Sequence, residues 1–222
     1  MSDMPMKNIT FSGRPKTNNI VKEAQRKFEK FCYGIQSPSF IRYFTYHDDF
    51  CPSEIRDLNY KLKITRIYRK SLFDEGKLAE YFKGFISNVK AFRVANCDEF
   101  SEIMKIILKM NKVKKCDMFA IYAQKQNETP RPLDHCVVAL NVKKSQNNKK
   151  KRIPFVPKKN VKIIDMWWPN GLIGSIKKVH KLYKIFGLEG NEKLLLRPIR
   201  TLEPDKKCLD EISRYFPQLK IN

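Results

Sequence analysis

Cys97, His135 and Asp165 stand in an order that thiol chemistry can use. A thiolate attacks a carbonyl carbon, and the resulting thioester divides one hard cleavage into two easier steps. A histidine takes the thiol proton and later gives it to the leaving amine. An aspartate on the other ring nitrogen fixes the tautomer and steadies the imidazolium. Cys97 follows Asn96, a capping residue, and precedes Glu99, which can return a bond to the Asn96 amide. A thiol at that helix mouth feels the positive end of the dipole, which favours the thiolate. The Cys97 backbone N–H is the simplest member of an oxyanion hole, with Asn96, Gln124, Trp167 and Trp168 as open choices for a second donor.

Each of these residues also has a structural reading. Cysteine serves as a small core hydrophobe. A buried histidine or aspartate needs a partner, and for Asp165 that partner can be a lysine or arginine.

The elements that must position them follow from periodicity. Phe100, Ile103, Met104, Ile107 and Leu108 give one apolar face to a helix over 97–111. Short apolar runs predict strands over 118–123, 133–142 and 161–168. Alternation puts His135, Val137, Ala139 and Asn141 on one face, and Val161, Ile163, Asp165 and Trp167 on one face of the next strand. A cysteine helix packed on that face would bring the three polar groups together, with Asp134 and Cys136 aimed away.

The rest of the chain reads as support. Residues 1–18 are expected to be a flexible N-terminal arm, and 19–222 a single α+β domain. Its parts are a helical part over 19–92, a core over 93–171 and C-terminal helices over 172–222. Helical spacing covers 20–33, 52–69, 77–91, 172–186 and 204–216, and 194–199 suits a strand. Phe40 to Tyr46 fits a strand or a helical turn. His47 with Asp48 and Asp49 reads as a solvated turn rather than a metal site.

The six cysteines include no Cys-x-x-Cys pair and there are only three histidines, which argues against structural zinc and a disulfide scaffold. No metal or other cofactor is expected. The N-terminus has no apolar run of a cleavable signal, and no stretch is long enough to span a bilayer.

The net charge is +22, which favours anionic partners, although a lysine-rich composition also produces it. Lys143 to Lys159 holds eight basic residues and no acids, and reads as an exposed loop. It suits an acidic protein or an anionic membrane surface. Nucleic acid is disfavoured, because only Phe155 interleaves with the basic residues. Composition leaves the oligomeric state open.

Three segments carry a family resemblance. Asn96-Cys97-Asp98-Glu99-Phe100, Asp134-His135-Cys136-Val137-Val138-Ala139-Leu140 and Ile163-Ile164-Asp165-Met166-Trp167-Trp168-Pro169-Asn170-Gly171 resemble the three blocks of transglutaminase-like, papain-like cysteine enzymes. The likeness is to bacterial effector and toxin domains above all, and covers roughly residues 93–171. Asn96 stands where a small residue is usual, and Met166 where proline often follows the aspartate.

The resemblance implies a papain/transglutaminase-like core, with a nucleophile helix on a small antiparallel sheet. It implies Cys97 as nucleophile, His135 as base and Asp165 as orienting acid. The expected activity is a cysteine-dependent amide hydrolase or acyl transferase (protease, glutamine deamidase or transglutaminase-like) acting on a protein. The expected place is the cytoplasm, or a host cell reached by a specialised secretion route. The rival reading is a non-enzymatic basic module for acidic protein, membrane or nucleic-acid surfaces.

Overall fold

The computed structural model describes residues 15–38, 52–74, 77–143, 152–168, 171–199 and 201–221. Phe40 to Tyr46, His47, Asp48 and Asp49, and residues 144–151 of the Lys143–Lys159 run lie outside them.

Among the described residues, four helices come first: α1 (Pro15–Cys32), α2 (Pro52–Asp74), α3 (Leu78–Phe92) and α4 (Cys97–Met110). The strands β1 (Cys116–Gln124), β2 (Arg131–Leu140), β3 (Lys162–Asp165) and β4 (Leu172–Ser175) follow. Next are α5 (Ile176–Leu182), a 3-10 turn (Tyr183–Phe186), β5 (Lys193–Pro198) and α6 (Lys206–Tyr215). The five strands form one antiparallel sheet in the order β4-β3-β2-β1-β5. The fold is α+β.

The sheet buries both faces. Cys116, Met118, Cys136, Val138, Leu140 and Ile164 face a layer of helices that includes α1, α3, α4 and α6. The central contribution is that of α4, whose Ile103, Met104, Ile107 and Leu108 are wholly buried. The opposite face carries Phe119, Ile121, Val137, Ala139, Ile163 and Leu196, and is covered by Val179, Tyr183 and Leu188. Alternation along β2 thus sends neighbouring residues into two different cores.

Several expectations change. The N-terminal arm was to reach residue 18, but α1 already begins at Pro15, where proline suits a first turn. The second helix runs on past Arg69 to Asp74. Leu172 to Ser175 is a strand rather than the start of a helix: it pairs with β3 before α5 begins. The C-terminal part is therefore not all helical. The Lys143–Lys159 loop is not wholly exposed at its end: Phe155 exchanges backbone bonds with Leu196 on the outer edge of β5, each 3.0 Å, and Pro157 is buried. No helix among the described residues is long and apolar enough to cross a membrane.

Candidate active site

The site starts at the mouth of α4. The Asn96 amide donates to Glu99 Oε2 at 3.1 Å, while the Asn96 side chain accepts from the Glu99 amide. This reciprocal capping box fixes the direction in which the chain enters the helix. The segment before it is held by α1's exit: Gln36 and Val94 form a parallel bridge, with Gln36 N to Arg93 O at 2.8 Å and Ala95 N to Gln36 O at 3.0 Å. Arg93 adopts φ 52° at the end of α3, which turns the chain sharply into this bridge. Cys97 lies one residue inside the helix and is partly exposed.

His135 reaches the thiol because β2 is not regular there. Ala120 pairs with Cys136, and Tyr122 pairs with Pro132, so three residues of β2 bulge opposite Ile121 alone. Asp134, inside the bulge, takes φ 50°. Such a bulge bends a strand and re-aims a side chain.

It also corrects the expected geometry. The cysteine helix does not pack on the face of Val137 and Ala139. It packs on the opposite face, with Cys136 and Val138. Ser101, one turn beyond Cys97, donates to the Cys136 carbonyl at 3.1 Å and ties the two elements together. His135 lies where the layers meet, its ring edge-on to Trp167 at 5.4 Å and to Tyr183 at 5.5 Å.

His135 Nε2 lies 2.7 Å from Asp165 Oδ2, and both side chains are almost fully enclosed. The Cys97 side chain is a hydrogen-bond partner of the same ring. Burial opposes a charged His135, but the charge and hydrogen bond of Asp165, then those of Cys97, outweigh it and raise the ring to about 10. The charged form of the ring is thereby favoured beside Asp165.

Asp165 is held from several sides. Its Oδ2 also accepts from Trp168 Nε1 at 3.0 Å and Tyr183 OH at 2.8 Å, and its Oδ1 accepts from the Trp167 amide at 3.1 Å. Burial, then the Asp165 charge, pushes the Tyr183 phenol well up, so it stays a donor. The turn after β3 makes this possible. Gly171, at φ +58°, donates to Trp168 O at 2.9 Å, and a Cβ there would meet Met166 Cε at 2.8 Å. The turn folds Trp167 and Trp168 back over the aspartate. Trp167 Nε1 donates to Ser37 Oγ at 3.0 Å, and Ser37 Oγ donates to Asn96 Oδ1 at 3.0 Å. A chain of hydrogen bonds thus runs from Asp165 to the cap beside Cys97.

Of the residues singled out beforehand, Cys97, His135, Asp165, Asn96, Trp167 and Trp168 come together. Gln124 does not. It ends β1, and its Nε2 donates to the Glu128 carbonyl at 2.8 Å in the β1–β2 turn. The Asn96 side-chain oxygen is engaged by the cap and Ser37, and the two indole N–H groups by Ser37 and Asp165. Asp134 and Cys136 flank His135; burial drives the Cys136 thiol well up. His180 lies outside the cluster, its Nε2 2.7 Å from the Glu192 carbonyl.

Three participants escaped the sequence reading: Ser37, Arg66 and Tyr183. Arg66 Nε meets Glu99 Oε1, and its Nη2 meets Asp98 Oδ1, each at 2.8 Å. Tyr183 sits at helical spacing among apolar residues and reads as core, which it also is. Among the other described cysteines, burial pushes Cys32 up, Cys116 up to about 12 and Cys208 up to about 11. The chain matches no family model, no curated protein and no solved structure, so the site's own geometry carries its functional reading.

Proposed function

We propose that the protein is a cysteine-dependent amide hydrolase or acyl transferase, with a core of the transglutaminase-like, papain-like kind. The observation that carries this reading is the 2.7 Å contact of His135 Nε2 with Asp165, with Cys97 as a further partner of the same ring. A partly exposed thiol, an enclosed imidazole and a fully bonded carboxylate are what nucleophilic acyl transfer needs.

The Cys97 sulfur, its proton resting on His135, attacks a carbonyl carbon. The carbonyl oxygen takes the negative charge and turns toward the Cys97 amide. The capping box engages the amides of Asn96 and Glu99, so the Cys97 amide is the donor at the helix mouth suited to this task. The carbonyl re-forms as the carbon–nitrogen bond breaks, and His135 gives its proton to the leaving amine. A thioester remains on Cys97. Water deprotonated by His135 releases an acid, or an incoming amine releases a new amide. Protein amides fit a site open at the helix mouth, and the basic surface suits substrates with acidic segments.

The test uses p-nitrophenyl acetate as an acyl donor and intact-protein and peptide mass spectrometry. Acetylation is expected on Cys97, labile to hydroxylamine, and slowed at least about tenfold by His135→Ala. Acetyl groups spread over lysines, with Cys97 unmodified, would overturn the reading and favour a basic binding module.

A further inference from the structure

Two carboxylates stand in the first turn of α4, directly after Cys97. Glu99 is wholly buried at its side chain and Asp98 is half-exposed. Negative charge at a helix N-terminus favours the helix, but beside a thiolate it works against the ionised sulfur. Arg66 answers both. It comes from α2, outside the core that holds the triad, and makes a fork on the two acids. Nε and Nη2 reach the Glu99 oxygens at 2.8 and 3.1 Å, and Nη2 reaches both Asp98 oxygens at 2.8 Å.

We infer that Arg66 is a positioning residue which offsets the charge of Asp98 and Glu99, and so relieves their repulsion of a negatively charged sulfur at Cys97. The inference concerns the site of the proposed acyl transfer and rests on that reading for its purpose.

Among the described residues, charged and titratable groups around the sulfur come from several elements. His135 and Cys136 come from β2, Asp165 from β3 and Tyr183 from the 3-10 turn; Asp98 and Glu99 come from α4 itself and Arg66 from α2. Within this set only His135 and Arg66 are cationic. His135 is committed to Asp165, and Arg66 is a cation seated on both first-turn acids. Burial opposes its charge, and the Glu99 hydrogen bond, then the charges of Glu99, Asp98 and Cys97, hold it in place. A guanidinium suits the task better than an ammonium, because its planar fork serves two carboxylates at once. The helical N-terminal part is then more than a cover: through α2 it tunes the nucleophile.

The experiment follows the iodoacetamide alkylation rate of Cys97 across a pH series in the full-length chain, read by peptide mass spectrometry. Arg66→Gln should move the midpoint up by about one pH unit and slow alkylation roughly tenfold at neutral pH. Arg66→Gln with Asp98→Asn should move it back toward wild type. Arg66→Lys, which keeps the charge, should shift it by less than half as much as Arg66→Gln. Asp98→Asn alone should move it down.

A folded Arg66→Gln protein with the wild-type midpoint overturns the inference. If Arg66→Gln does not fold, an unchanged midpoint in Asp98→Asn overturns it instead. The midpoint is readable whether or not Cys97 transfers acyl groups. A shifted midpoint without Cys97 acetylation therefore sinks the proposed function and leaves the electrostatic role standing.

Discussion

His135 Nε2 and Asp165 Oδ2 stand 2.7 Å apart, on side chains almost wholly withdrawn from water. A pair so placed must show itself in the pH dependence of stability. The folded ring titrates at about 10, above its ordinary 6.5, because Asp165 and Cys97 overcome the burial that opposes its charge. Folding therefore takes up a proton. The stability this contributes is fully present below about 6.5 and is lost as the pH rises through about 10. In urea unfolding, the gap between wild type and His135→Gln should narrow steadily across that window. A constant gap would contradict the pairing.

Tyr183 donates to Asp165 at 2.8 Å from a buried position. Removing the hydroxyl leaves the carboxylate one donor short without emptying the ring's place. Tyr183→Phe should destabilise the fold by about 1.5–3 kcal/mol, the usual worth of a hydrogen bond to a charged group. It should also slow Cys97 alkylation several-fold, because a less firmly held aspartate supports the imidazolium less well. Urea midpoints and alkylation rates check the two parts, and an unaffected stability would show that Tyr183 only packs.

Ser37 joins Trp167 to Asn96 through one hydroxyl. Ser37→Ala removes an acceptor from a buried indole N–H and a donor from the helix cap at once. The expected loss is about 1–3 kcal/mol in thermal or urea unfolding, well beyond an ordinary surface change. A loss below about 0.5 kcal/mol would mean that water takes over the bridge.

The legible part of the molecule was the part with periodicity. Ile103, Met104, Ile107 and Leu108 announced α4, and the apolar runs about Phe119, Val137 and Ile163 announced β1 to β3. That Cys97, His135 and Asp165 lie together is legible from residue type and order, which suffice to suggest a thiol site. The bulge at Asp134 was not, since alternation assumes a regular strand and nothing in Leu133-Asp134-His135 signals two extra residues. Regular alternation therefore places the helix on the wrong face. Leu172 to Ser175 reads as part of a helix because four residues carry too little pattern to separate a strand from a following turn of helix. Ser37 and Arg66 act across 59 and 33 residues of chain, and single hydroxyls and guanidinium groups leave no local mark of a distant partner. Gln124 failed for the same reason in reverse: an amide of the right type was tied up in its own turn.

The most direct measurement compares iodoacetamide labelling of the six cysteines at neutral pH, site by site, in wild type and His135→Ala. If His135 and Asp165 arm Cys97, that thiol labels at least about tenfold faster than Cys32 or Cys208, and His135→Ala abolishes most of the difference. Cys97 labelling no faster than Cys32 or Cys208, or a fast rate indifferent to His135, would contradict a nucleophilic Cys97.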